Sequence, residues 1–178
     1  MTLVSGGVRS GKSRHAEALL RPRDEVTYLA CARVADAEFA ARVAHHRATR
    51  PASWTTLESL DVVAAVGMPG GPLLLECLGT WLTGLVDEAD LWADLGAAAT
   101  LVADRSRTLV AALIATDREV VIVTNEVGWS LVPLTPAGRF FQDELGRLNA
   151  AVAAIAERVH LVVAGRVLDL SGAPRVDG

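Results

Sequence analysis

Residues 6–13, Gly6-Gly7-Val8-Arg9-Ser10-Gly11-Lys12-Ser13, place the tightest limit on the fold, because glycine, four residues and then Gly-Lys-Ser is the spacing of a phosphate-binding P-loop. Gly6 and Gly11 permit backbone conformations and a closeness of approach that a Cβ would block, so successive N–H groups can point inward and cradle phosphate oxygens. Lys12 is spaced to reach the β- and γ-phosphates, and the Ser13 hydroxyl to ligate Mg²⁺. Such a loop needs a strand before it and a helix after it. Thr2-Leu3-Val4 is a β-favouring run, and Ser13 to Leu20 carries Ala16, Leu19 and Leu20 at helical spacing. Lys12 is also the only lysine in the chain. A sequence that uses arginine everywhere else and keeps one lysine here points to a need for a compact ammonium.

The remaining pattern alternates strands with helices. Val26 to Ala30, Leu73 to Leu75, Glu119 to Val123 and Val159 to Ala164 read as buried strands, with Trp54 to Leu57 as a short extended segment. Helical periodicity falls on Asp36 to His46, Leu60 to Val66, Thr80 to Asp87, Ala97 to Ala115 and Pro136 to Glu157, and Ser171 to Gly178 has the composition of a frayed end. This alternation predicts an α/β fold: a P-loop (RecA-like), doubly wound, mostly parallel sheet with helices on both faces, in one domain over residues 1–178. The 178 residues are 51% hydrophobic but only 4% aromatic, so the core is expected to consist of Ala, Val and Leu. A net charge of −4 argues against general nucleic-acid binding. Cys31 and Cys77 make neither a disulfide framework nor a metal set and read as small buried residues. The apolar stretch from Val62 to Leu85 is broken by Met68-Pro69-Gly70-Gly71-Pro72 and by Glu76, so no membrane span is expected. With no basic-then-apolar leader, the expected compartment is the cytoplasm.

Polar residues at strand tips are the other candidates for chemistry. Ligands of open parallel sheets collect at the carboxyl ends of strands, which is where Glu76 and Thr124-Asn125-Glu126 fall. Glu126 has two readings, cap of the following helix or organiser of a metal. Trp81 and Trp129 read either as core or as contacts for a large ligand. On the 36–46 helix, Phe39, Val43 and His46 share one face, whereas Glu38, Arg42, His45 and Thr49 share another, so His46 is expected to face the body of the protein or a cleft and His45 to be more exposed.

Taken together these residues resemble the bifunctional adenosylcobinamide kinase/adenosylcobinamide-phosphate guanylyltransferase family of cobalamin biosynthesis. The opening from Gly6 to Glu17 is similar to that family's. So are Tyr28-Leu29-Ala30 with Asp36, Glu38, Arg42, His46-Arg47, Arg50-Pro51, Trp54 and Glu58. Leu74-Leu75-Glu76-Cys77-Leu78 with Thr80-Trp81-Leu82-Thr83, and Val123-Thr124-Asn125-Glu126-Val127-Gly128 with Val132-Pro133, extend the match. Arg139-Phe140, Asp143, Gly146, Asn149 and Val162-Val163-Ala164-Gly165 carry it almost to the end.

The resemblance implies two reactions. A nucleoside triphosphate, ATP or GTP, phosphorylates adenosylcobinamide; then GTP guanylylates a histidine, here His46, which passes GMP to adenosylcobinamide phosphate to give adenosylcobinamide-GDP. It implies catalytic roles for His46 and Lys12, and nucleotide contacts at Gly6, Gly7, Val8, Arg9, Ser10, Gly11, Lys12, Ser13, Cys31, Ala32, Arg33, Arg47, Ala48, Thr49, Arg50, Glu58 and Glu76. Mg²⁺ held through the Ser13 hydroxyl and a homotrimer are implied with them. Three positions depart from the family pattern: Cys31 stands where threonine is usual, Ser130 where glycine is frequent, and no lysine follows Gly165. Two alternatives fit the loop and sheet alone: a P-loop ATPase or nucleotide switch acting on a macromolecular partner, and a simple small-molecule kinase without guanylyl transfer. The first leaves the His46 to Glu58 block without a purpose.

Overall fold

The computed structural model describes residues 1–31 and 51–176. Among these residues seven strands form one sheet: β1 (Thr2–Gly6), β2 (Thr27–Ala30), β3 (Thr55–Glu58), β4 (Leu73–Glu76), β5 (Val120–Asn125), β6 (Arg158–Val163) and β7 (Arg166–Asp169), in the order β3-β2-β4-β5-β1-β6-β7. Every pairing is parallel except β6 with β7. The helices among the described residues are α1 (Lys12–Leu20), α2 (Val62–Gly67), α3 (Leu78–Glu88), α4 (Leu95–Ala115) and α5 (Pro136–Ile155). None of them is long and apolar enough to cross a membrane. The helix expected over 36–46 lies outside the described residues.

The continuous apolar strands are explained by burial on both faces, since successive side chains of a strand point opposite ways. In β4, Leu73 and Leu75 enter one core and Leu74 the other; in β5, Val120 and Ile122 divide in the same way from Val121 and Val123. One core lies under α2, α3, α4 and α5 and includes Trp81, Leu109 and Leu145; the other lies under α1 and includes Ala16, Leu20, Tyr28 and Trp54. The two-faced arrangement matches the expected doubly wound class.

Helix starts follow their caps. Asp61, Asp94 and Thr135 accept hydrogen bonds from the N–H groups of Ala64, Ala97 and Gly138, with Pro136 at the first position of α5. α4 therefore begins at Leu95, set by Asp94, earlier than the Ala97 expected from periodicity, and α3 begins at Leu78 rather than Thr80. β7 was not expected. Ala164 and Gly165, with φ of 49° and 73°, make a tight two-residue turn that returns the chain antiparallel to β6, with Val163 paired to Arg166.

Candidate functional site

β1 lies inside the sheet between β5 and β6, and the loop at residues 7–11 leaves its carboxyl end. A Cβ on Gly6 would stand 2.5 Å from the Val162 carbonyl oxygen and 2.7 Å from Ser10 Oγ, so no side chain fits there. Arg9 and Gly11 both have left-handed backbone conformations, φ 57° and 98°. The turn closes through Ser10 N–H donating to the Gly7 carbonyl at 3.2 Å. Two neighbours fix it in place: Gly165 N–H donates to the Ser10 carbonyl at 3.0 Å, and Glu126 N–H to the Gly6 carbonyl at 3.1 Å. α1 starts from Gly11 with no side-chain cap and no acidic residue in its first turn, so its N-terminal dipole and N–H groups are left to an incoming anion.

Two side chains of α1 define the chemistry of this edge. Lys12 Nζ donates to the Gly7 carbonyl at 3.2 Å, folded back over the loop it serves. Ser13 Oγ donates to Glu76 Oε1 at 2.6 Å, bringing the β4 tip to the loop. Behind them Cys31 and Cys77 are buried, as expected, and burial pushes both thiols up, Cys31 well up, with Cys77 and then the Glu76 carboxylate adding to the shift at Cys31. Both remain protonated at neutral pH and are poor nucleophiles. The Cys31 N–H donates to the Glu76 carbonyl at 3.0 Å, which continues the β2–β4 ladder beyond the strand ends.

The sequence reasoning missed a histidine pair: His15 Nε2 and His160 Nδ1 lie 2.9 Å apart and join α1 to β6. Burial, and then His160, lowers the His15 pKa below the usual histidine value. Asn149, one of the residues that carry the resemblance, accepts from Thr124 Oγ1 at 2.6 Å and donates to the Asn125 carbonyl at 3.0 Å, fastening α5 to the β5 tip.

The P-loop, Glu76 and the β5 tip are gathered at one edge, whereas Glu58 is set apart from them. It is exposed at the end of β3, four positions from β1 in the sheet order, or roughly 19 Å at ordinary strand spacing. Ala32, Arg33, His45, His46, Arg47, Ala48, Thr49 and Arg50 lie outside the described residues. Glu126 accepts from the Gly128 N–H at 2.9 Å; the cap of α5 is Thr135, not Glu126. Trp81 is buried and donates from Nε1 to the Leu60 carbonyl at 3.0 Å, which makes it core, while Trp129 is exposed.

Comparison with known proteins agrees with this arrangement. The sequence model of the family described as cobinamide kinase / cobinamide phosphate guanyltransferase matches residues 2–170. The chain is 42% identical over 175 residues to the bifunctional adenosylcobalamin biosynthesis protein CobU of Salmonella typhimurium, covering 93% of this chain and 96% of that protein. It is 41% identical to the protein of the same name in Escherichia coli, with the same coverage, and 39% identical to CobP of Pseudomonas aeruginosa, covering 97% of this chain and 98% of that protein. With a P-loop on an interior strand, a serine–carboxylate pair beside it and relatives aligned along nearly the whole length, the chain belongs to the cobinamide kinase / cobinamide phosphate guanyltransferase family.

Proposed function

We propose that this chain catalyses both reactions of its family, phosphorylation of adenosylcobinamide and guanylylation of the product, as a single domain spanning residues 1–178. The observation that carries the reading is the P-loop at the carboxyl end of the interior strand β1, with Lys12 and the Ser13–Glu76 pair at its mouth.

In the first reaction the substrate hydroxyl oxygen forms a bond to the γ-phosphorus of ATP or GTP as the β–γ bridging P–O bond breaks, and the hydroxyl proton leaves to solvent. Lys12 exchanges the Gly7 carbonyl for a phosphate oxygen, and the loop amides with the uncapped start of α1 hold the remaining charge. The Ser10 hydroxyl, buried without a hydrogen-bond partner among the described residues, is available to a phosphate oxygen. Ser13 Oγ and Glu76 Oε1 are hard oxygen donors 2.6 Å apart, a set that suits Mg²⁺, with Ser13 as the direct ligand. Bound there, Mg²⁺ would neutralise charge on the β- and γ-phosphates.

In the second reaction a neutral imidazole nitrogen of His46 bonds to the α-phosphorus of GTP while pyrophosphate departs. A phosphate oxygen of adenosylcobinamide phosphate then attacks the same phosphorus, the P–N bond breaks, and the imidazole leaves carrying a proton. Arg47 and Arg50 carry guanidinium groups, the side-chain type that holds phosphate oxygens bidentately, and Ala32, Arg33, Ala48, Thr49 and Glu58 complete the nucleotide contacts. These assignments rest on the sequence match. A homotrimer and a cytoplasmic location belong to the same reading.

The test uses GTP labelled at the α-phosphate. The wild type should acquire acid-labile, alkali-stable label, His45→Ala should retain it, and His46→Ala should lose it while still phosphorylating adenosylcobinamide. Labelling should weaken below about pH 6.5, where histidine becomes protonated. Full labelling of His46→Ala would place the nucleophile elsewhere.

A further inference from the structure

The loop between β5 and α5, residues 126–135, displays apolar side chains to solvent: Trp129 is 71% exposed, Leu131 93% and Leu134 97%, with Val132 exposed between them. Its backbone is held in place. Gln142 Nε2 donates to the Val127 carbonyl at 2.7 Å, Arg139 donates to the Pro133 and Leu134 carbonyls at 2.8 and 3.1 Å, and Glu126 Oε1 and Thr135 Oγ1 accept from Gly128 and Gly138. A fixed loop that spends its carbonyls on α5 and turns its hydrophobes outward presents a preorganised apolar surface, which marks a binding site.

Its position specifies the ligand. β5 is the parallel neighbour of β1, and Glu126 N–H is bonded to the Gly6 carbonyl, so this loop and the P-loop leave adjacent strands at the same edge. Val8, on the P-loop itself, is likewise an exposed apolar side chain. A group resting here is positioned to extend a hydroxyl toward the γ-phosphate. We infer that the 126–135 loop is the platform for the corrin ring of the cobinamide substrate. A flat macrocycle rimmed with methyl groups buries its face against Trp129 and Leu131, and its flexible hydroxyl-bearing arm reaches across β1 to the nucleotide. The inference rests on the proposed kinase reaction and adds the residues that select its acceptor.

The experiment measures steady-state phosphorylation of adenosylcobinamide by the full chain and by Trp129→Ala and Leu131→Ser, both at exposed positions where folding is not at stake. Each variant should raise KM for adenosylcobinamide at least about tenfold, the scale of an interface anchor, while KM for the nucleotide stays within about twofold. Quenching of tryptophan fluorescence by the corrinoid should shrink in Trp129→Phe, which retains Trp54, Trp81 and Trp92. An unchanged KM for adenosylcobinamide in both variants of an active enzyme overturns the platform and leaves the kinase reading intact. A smaller particle in light scattering, with that KM unchanged, also overturns it and assigns the surface to contact between copies of the chain. If the wild type does not phosphorylate adenosylcobinamide, the kinase reading fails and the platform with it.

Discussion

Ser13 Oγ and Glu76 Oε1 lie 2.6 Å apart although 63 residues separate them in sequence, so the first turn of α1 is tied to the tip of β4 before any nucleotide arrives. Ser13→Ala should cost the fold only about 0.5–1.5 kcal/mol, the net worth of one hydrogen bond, yet lower phosphoryl transfer by about a hundredfold or more. Glu76→Gln retains an acceptor for Ser13 but loses the charge, so it should fold normally and need about tenfold more Mg²⁺ for half-maximal rate. Thermal unfolding and a Mg²⁺ titration read the two effects separately; an unaltered Mg²⁺ requirement in both variants removes the pair from the metal site.

Lys12→Ala should abolish phosphoryl transfer with little change in stability, because the ammonium donates to a loop carbonyl and packs into neither core. Lys12→Arg should fail too, since a planar fork does not replace a point charge in so tight a loop. Near-normal kinase rates in either variant refute the role given to this residue.

Two glycines should respond oppositely to alanine. Gly6→Ala drives a Cβ toward the Val162 carbonyl and should cost about 1–3 kcal/mol together with nucleotide binding. Gly146→Ala, on α5 where a Cβ meets nothing within 4 Å, should be neutral or stabilise by up to about 1 kcal/mol. Denaturant midpoints decide this, and equal effects at the two sites would contradict the packing described for β1.

Acidification should weaken the fold through His15. The unfolded chain takes up its His15 proton near the usual histidine pKa of about 6.5, whereas the folded chain, with His15 lowered by burial and by His160, takes it up at lower pH. In that window the unfolded state binds more protons, so stability falls as pH drops below about 6.5 and levels off below the folded-state value. His15→Gln should flatten the fall in Tm between pH 7 and pH 5 relative to wild type; parallel curves would show that the pair does not couple to stability.

Much of this architecture was legible because its signals are local. The P-loop spacing, the apolar runs of β4 and β5, and the carboxylate at the end of β4 each lie within a few consecutive residues. The features that escaped were made by distant segments meeting: Ser10 with Gly165, His15 with His160, Asn149 with the β5 tip. β7 was missed for a different reason. Its turn is Ala164-Gly165 rather than an Asn-Gly or Asp-Gly pair, and all four of its residues are exposed, so no burial pattern marks it. The two tryptophans could not be told apart by type, and only packing separates buried Trp81 from displayed Trp129. The assignment of His46 still comes from the sequence match.

The internal position of β1 has a consequence for how the protein is made. Val4 lies beside Val123 on one side and His160 on the other, so this strand is synthesised more than a hundred residues before either partner. Its hydrophobes wait unpaired through most of translation, and closure must overcome a large loop entropy before any ladder forms, the circumstance that makes parallel sheets slow to fold. Because the phosphate loop takes its shape from Glu126 and Gly165, a ribosome-bound chain that has not yet exposed Gly165 should be unable to hold nucleotide, and the capacity to bind GTP should arrive late and all at once.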